Sequence, residues 1–318
     1  MVALLRLMGR RLVALPIMIL GITLLVFGVM QFSKVDPSLN ALGEGASLAA
    51  RTAWLDANGY NDPFFVRYFE FLGGLVQGDM GTYSARMLPV TDAIKSALPI
   101  TLQLTAMGLT IAVVLALVFG VLAAIYRDKW VDQVIRVFSI AAVATPSFWL
   151  AVLMIQTITL NFGWLPAAGA VPSFSDDPAG YFARMALPAI SVGIPISGSL
   201  IRVVRTSMVE ELDKDYVRTA IGAGIPRHIV IARNVLRNAL ITPVTVLGLR
   251  VGYAIGGAVV IEVIFALPGM GTAILNGVTN NEPNLVQGVT LTVAMAFVVV
   301  NIVVDLLYLL INPRIRTV

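Results

Sequence analysis

The sequence predicts an all-α polytopic membrane protein with six transmembrane helices. Three observations carry that expectation. Of 318 residues, 58% are hydrophobic and only 13% charged, against about 45–50% and about 25% in soluble domains. The apolar residues gather into runs long enough to cross a bilayer. Basic residues flank those runs, so the formal net charge of +4 reads as membrane-side anchoring and not as a nucleic-acid surface. The chain has no cysteine, so neither a disulfide framework nor a thiolate metal site can be built from it.

The whole chain, 1–318, reads as a single transmembrane domain. A spanning helix needs about 20 apolar residues, and six segments qualify, at roughly 11–32, 98–126, 137–161, 185–205, 238–265 and 285–311. The first follows Arg10 and Arg11, exceeds the length of a signal h-region and lacks a small-x-small cleavage site, so it is expected to be retained. The second and third are the cleanest, because residues 96–126 and 137–175 carry no charge. The fourth is the shortest, bounded by Arg184 and Arg202. Pro16, Pro146, Pro188, Pro195 and Pro243 lie within spans, where neighbouring helices can satisfy the carbonyls that proline frees. Arg127, Lys129, Arg136, Arg205 and Lys214 fall in short connections on one side, together with both termini. The excess of positive charge makes that side cytoplasmic. The segment 33–97 is then external. Within it, "DPFFVRYFEFLGGLVQGDMG" crowds Phe64, Phe65, Tyr68, Phe69 and Phe71 together and interrupts them with Arg67 and Glu70. It is too short to span and is expected to lie at the membrane interface.

No catalytic constellation stands out. None of Lys34, Lys95, Lys129 and Lys214 closes a phosphate-binding loop of the G-x-x-x-x-G-K-[ST] type. His228, the single histidine, cannot by itself build a zinc site or a triad. Ionisable residues inside spans are the default functional candidates of a membrane protein. Arg250 lies midway along the fifth span, Glu262 near its outer end, and Asp305 towards the inner end of the sixth. These three are the candidate pathway or gate residues. Asp305 with Asn301, four residues apart, could equally form a contact between helices.

The segment 207–237 breaks the apolar pattern. Helical spacing places Leu212, Tyr216, Ala220 and Ala223 on one narrow stripe, flanked by Asp213, Asp215 and Arg218. Gly222 and Gly224 are expected to break that helix, and Pro226 suits the first turn of the next, which carries Arg227, Arg233 and Arg237 into the fifth span. The spacing therefore predicts two short cytoplasmic helices around a glycine bend, with small residues on an exposed stripe.

"RTAIGAG" is similar to the E-A-A-x-x-x-G motif in membrane subunits of ATP-binding-cassette importers, with Arg218, Thr219, Ala220 and Gly224 at its fixed positions. Arg218 replaces the glutamate of the general motif, as in the peptide-permease branch, and "NVLRN" stands where Ile-x-Leu-Pro usually follows. The chain also resembles the B-type subunit of oligopeptide and dipeptide permeases over nearly its whole length. The likeness runs through "GGLVQGDMG", "LPITLQL", "TPSFWLAVLMI", "GWLPAAG", "GGAVVIEVIFALPGMG" and "VNIVVDLLYLLINPRIR". That resemblance implies a type I importer permease fold in a bacterial or archaeal cytoplasmic membrane. It implies as partners a second homologous permease, two ATPase subunits and an extracellular or periplasmic substrate-binding protein. ATP and Mg would be bound by the ATPase subunits, and this chain would hold no cofactor. Asp215, Tyr216, Arg218, Thr219, Ala220, Gly224, Pro226 and Arg227 would form the ATPase-coupling element. The rival reading, an ion- or proton-coupled secondary transporter, would use buried carboxylates and paired broken helices, and the central spans hold few ionisable groups. A membrane-embedded enzyme would need a nucleophile–base or metal constellation.

Overall fold

The computed structural model describes residues 2–31, 36–43, 45–84 and 86–311, and side chains for 14–31, 36–39, 41–43, 45–84 and 86–304. The side chains of Arg6, Arg10, Arg11 and Asp305, and the whole of Lys34, Arg314 and Arg316, lie outside the described residues. Among the described residues, helices joined by turns and loops make up the fold, with one short hairpin as its only sheet. Its elements are α1 (Val2–Gln31), α2 (Pro37–Leu42), α3 (Leu48–Ala57), α4 (Phe64–Val76), β1 (Thr82–Tyr83), β2 (Leu88–Pro89), α5 (Val90–Ile125), α6 (Trp130–Ala144) and α7 (Ser147–Met154). These are followed by α8 (Pro178–Leu212), α9 (Asp215–Gly222), α10 (Arg227–Ile229), α11 (Leu236–Ala239), α12 (Ile241–Ile264), α13 (Met270–Thr279) and α14 (Pro283–Ile311). Wider π-helical turns continue α7 over Ile155–Asn161 and join α10 to α11 over Val230–Val235.

Among the described residues, five helices are long and apolar enough to cross a membrane, and a sixth crossing is reached if α6 and α7 count as one. That pair is where the structure departs from the expected continuous helix over 137–161, because the axes of α6 and α7 meet at 101°. The cause is local. Pro146 lacks an N–H and excludes the preceding residue from the helical region, and Thr145 accordingly takes φ −83°, ψ 118°. Both the amide and the hydroxyl of Thr145 donate to the Ala141 carbonyl, at 3.0 and 2.8 Å, which closes the last turn of α6 on that acceptor.

The chain divides into two compact units, one built mainly from 102–267 and one from 5–101 with 268–299. In the first, α8 is the central element. Its start is set by Asp177, which accepts from the Gly180 amide at 2.9 Å with Pro178 in the first turn. It then runs 35 residues through Pro188 and Pro195 without interruption. Close approach of its neighbours depends on small residues, as expected where lipid gives helices no hydrophobic reason to associate. A Cβ built on Gly198 would lie 2.6 Å from the Ser139 carbonyl of α6, and one on Gly193 would lie 2.7 Å from the Gly108 carbonyl of α5. At the far end of the same interface, Asp132 of α6 is fully buried and receives two hydrogen bonds of 2.7 Å from Arg205 of α8. This two-pronged ion pair ties α6 to α8, and the other face of the carboxylate caps the Asp128 amide at 3.0 Å.

In the second unit, the aromatic run of the external segment forms α4 and packs on α1. Phe27 is the hub, with ring centroids 5.3 Å from Phe64, 5.6 Å from Tyr68 and 5.6 Å from Phe71. The hydroxyls of Tyr68 and Thr23 meet at 3.0 Å. Phe65 and Phe69, a third of a turn away, are each 66% exposed, so α4 presents one apolar face to α1 and a second outward. The hairpin pairs Thr82 with Pro89 and Tyr83 with Leu88, and Asn284 at the start of α14 donates to the Thr82 carbonyl at 3.0 Å. The Thr101 hydroxyl accepts from the Met270 amide at 2.9 Å, which anchors the start of α13.

Candidate functional site

The segment from Leu212 to Ala239 folds as α9, a sharp turn, and the α10–π–α11 run. Asp215 in the first turn of α9 complements the positive end of the helix dipole. The C-terminal end is closed by two crossed hydrogen bonds. The Gly224 amide donates to the Ile221 carbonyl at 3.0 Å and the Ile225 amide reaches the Ala220 carbonyl at 3.2 Å. This is the Schellman arrangement, which requires a left-handed residue just past the helix, and Gly224 supplies it with φ +84°. Gly222, also expected to break the helix, remains inside it. Pro226 caps the next helix with φ −55°, ψ 134°, and Arg227 takes the first helical position.

The faces of α9 differ from the expected ones. Val217 is buried, and Leu212, Tyr216 and Ala220 pack against the same apolar cluster, which includes Ala124, Val204, Met208, Val230 and Val235. The Tyr216 hydroxyl donates to Glu211 at 2.9 Å and accepts from Asn238 at 3.5 Å, while Lys214 pairs with the same Glu211 carboxylate. Burial pushes the Tyr216 phenol above its ordinary value. Much of the stripe proposed to be exposed is therefore the inward face. The outward apolar residues are Ile221, Ile225 and Ile229, at 41–43% exposure, in the company of Asp215, Arg218, Thr219, Gly224, Pro226 and Arg227. Their spacing of four was readable in the sequence, but the turn at Gly224 interrupts the helix on which that spacing would be counted. A cavity of about 500 Å³ opens beside this face, and Arg127, Arg218 and Arg227 line it. Arg127 is held by Asp213 at 2.9 Å and Arg218 lies 3.8 Å from Asp215.

Two of the three candidate pathway residues, Arg250 and Glu262, are not brought together. Arg250 and Glu262 both lie on α12, separated by 12 residues and thus by about 18 Å along the axis. Arg250 is half-buried and its guanidinium sits 5.8 Å from the ring centroid of Tyr253, itself on an outward face. Glu262 is wholly buried and does not emerge at the helix end. The side chain of Asp305 lies outside the described residues.

Buried charges at Asp132, Arg184 and Glu211 carry no signal in the local sequence. Arg184 bounds the fourth span in the sequence, yet it is only 2% exposed. Its Nε donates to the Gly169 carbonyl at 3.2 Å and its Nη2 to the Phe265 carbonyl at 2.6 Å. It thereby pins the loop after α7 and the end of α12 to the start of α8. Nothing in the local sequence distinguishes such an arginine from one that reaches water.

Residues 116–317 match the family described as binding-protein-dependent transport system inner membrane component. A putative peptide transport system permease protein of Brucella abortus (strain 2308) is 35% identical over 303 residues, covering 95% of this chain and 96% of that protein. The oligopeptide transport system permease protein AppB of Bacillus subtilis (strain 168) is 34% identical, covering 96% and 98%. Among solved structures, an amino acid ABC transporter overlaps 69% of this chain and 92% of its own with a TM-score of 0.49 and 20% identity. That likeness is too distant to carry an argument.

Proposed function

The chain belongs to the family of binding-protein-dependent transport system inner membrane components, and on that premise we propose that it is one membrane-spanning half of an ATP-driven importer of short peptides. The observation that carries the proposal is a similarity running the length of the chain to permeases named for peptide and oligopeptide transport. In this reading the chain performs no covalent chemistry. A second, homologous permease completes the path, two ATPase subunits bind ATP and Mg on the cytoplasmic side, and an external binding protein delivers cargo. Both termini are cytoplasmic, in the inner membrane of a bacterium or archaeon.

The segment 207–237 is the coupling element. Ile221, Ile225 and Ile229, with Asp215, Arg218, Thr219 and Arg227, offer an exposed apolar strip edged by charge that suits a groove on an ATPase subunit. Tyr216 and Ala220 face the helix bundle and transmit the push. Tyr216 is bonded to Glu211 at the end of α8, and Val230 and Val235 of the π turn are buried in the same cluster. A displacement of α9 would thus be carried to α8 and α12 as a rigid-body shift. On α12, Leu249, Tyr253, Val260 and Val263 form an exposed stripe beside Arg250, the face assigned to the path. Arg250, Glu262 and Asp305 are its candidate charged residues.

The test is uptake of labelled dialanine into proteoliposomes that contain this chain with its co-purified permease, ATPase and binding-protein subunits. Uptake should require ATP on the ATPase side together with the binding protein. Uptake that follows an ion gradient and survives ATP depletion would overturn the proposal in favour of a secondary transporter.

A further inference from the structure

The second unit contains a cavity of about 480 Å³, walled by α1, α4, the turn after α3 and the start of α14. Its volume lies within the range of about 300–1,000 Å³ common to small-molecule sites. The walls are aromatic, from Phe27, Tyr60 and Phe71, and a few polar groups converge on the space.

Two of those groups are charges of opposite sign from α4, Arg67 and Glu70. They stand three residues apart, the helical spacing at which such charges ordinarily pair, with Cβ atoms about 5–6 Å from one another. Among the described residues neither forms an ion pair. The Arg67 guanidinium lies instead over two of the cavity's rings, 5.9 Å from the centroid of Phe27 and 5.2 Å from that of Tyr60. The Glu70 carboxylate faces the turn at Gly59, whose ideal Cβ would lie 3.8 Å from it. The two side chains thus reach towards adjacent residues of the turn after α3, Tyr60 and Gly59, without pairing with each other. Opposite α4, Gln287 of α14 is 9% exposed and lines the same cavity, and its Nε2 has no hydrogen-bond partner among the described residues. A buried amide left without a partner is destabilising, and an acceptor placed in the cavity would satisfy it.

We propose that this cavity is a binding site for a small zwitterion with apolar bulk between its charges, such as a free dipeptide. Its carboxylate is received by Arg67, its ammonium by Glu70, and a central carbonyl by the Gln287 amide. Phe27, Tyr60 and Phe71 cover the apolar part. The two charged ends of an extended dipeptide are separated by about 7 Å, comparable with the roughly 5–6 Å between Cβ atoms three residues apart on a helix. The inference rests on the cavity and not on the transport reading, because the site is complete within this chain.

The experiment is equilibrium binding to the purified full chain in lipid nanodiscs, without ATPase subunits or binding protein. The probes are dialanine, its N-acetyl form and its C-terminal amide. The expected result is at least tenfold tighter binding of dialanine than of either blocked form. Glu70→Gln, at an exposed position that leaves the aromatic packing alone, should abolish the discrimination against the acetylated probe and keep that against the amide. Arg67→Gln should do the reverse, and Arg67→Lys should restore the preference for a free carboxylate. Absence of dialanine binding at millimolar concentration, equal binding of all three probes, or discrimination unaltered by Glu70→Gln would each overturn the proposal. Failure of ATP-driven uptake in proteoliposomes would leave this result unaffected, so the two readings fail separately.

Discussion

Replacing Gly224 with valine tests the coupling turn where its physics is simplest. The residue holds φ +84°, and a Cβ added there would meet no atom within 4 Å. No clash contributes, so the penalty comes entirely from the backbone. An L-residue in the left-handed region costs roughly 1–2 kcal/mol, and a β-branched one reaches the upper end of about 1–3 kcal/mol. That corresponds to a change of roughly 5- to 150-fold in the equilibrium between closed and open turn. The amides of Gly224 and Ile225 close the turn onto Ile221 and Ala220, so their hydrogen exchange should accelerate by that factor. Gly222→Ala is the matched control, two residues away. Gly222 is helical and its Cβ position is open, so alanine should stabilise α9 by about 0.5–1 kcal/mol and slow the same amides. ATP-dependent uptake should fall in Gly224→Val and persist in Gly222→Ala. Exchange within twofold of wild type in Gly224→Val, or equal acceleration in both variants, would refute the assignment of the left-handed turn. Faster exchange with full uptake would keep the turn and remove its role in coupling.

Three further outcomes follow from the packing. Gly198→Ala should lower the thermal midpoint in detergent, because its methyl group would overlap the Ser139 carbonyl and overpacking of this kind costs about 1–3 kcal/mol; Gly73→Ala, with open space at its Cβ, should not. Asp132→Asn leaves Arg205 facing a neutral amide where it now has a carboxylate, and removal of one partner from a buried pair costs about 3–5 kcal/mol. The lower end applies here because Arg205 is 19% exposed, and the double variant Asp132→Asn with Arg205→Gln should recover part of the loss in a melting experiment. Finally, the Ser38 hydroxyl and the Arg51 guanidinium hold the Asp36 carboxyl below the ordinary carboxylate value. A depressed folded-state value contributes stability that is complete above the unfolded value near about 3.9 and is lost as pH falls through the folded one. Exchange protection over α2 and α3 should therefore hold from pH 7 to about 4 and decline below it, whereas Asp36→Asn should show reduced protection already at pH 7 and no further acid response.

Much of the architecture was legible because a bilayer makes strict demands on a chain. Apolar runs such as 98–126 must be helical, since a backbone in lipid can satisfy its polar groups only internally. α5 accordingly spans Val90–Ile125. The turn at Gly224 was legible for a similar reason: a glycine two residues before a proline, at the end of an amphipathic stretch, has few conformations that suit it. The break at Pro146 was visible as a residue but not as an outcome. Pro188 and Pro195 sit inside an unbroken α8 while Pro146 separates two helices at 101°. Whether a proline bends a span or is absorbed by it depends on which neighbours can take up the freed carbonyls, and those neighbours come from distant parts of the chain.

The sequence by itself determined the solvent this protein belongs in, the approximate number of its crossings, and the position of a charged, punctuated segment between the fourth and fifth of them. Those properties follow from composition along a single strand of chain. Only the tertiary structure decided which side of that segment faces outward. Tyr216 and Ala220 turn in to meet Glu211 and the buried cluster, and Ile221, Ile225 and Ile229 are left to solvent. It also decided that Asp132 and Arg184 are buried while Arg67 and Glu70, beside a cavity, form no ion pair among the described residues. A charge reads the same in sequence whether it ends in water, an ion pair or an empty pocket. The difference lies in what other helices bring within about 3 Å of it, and that is a property of packing alone.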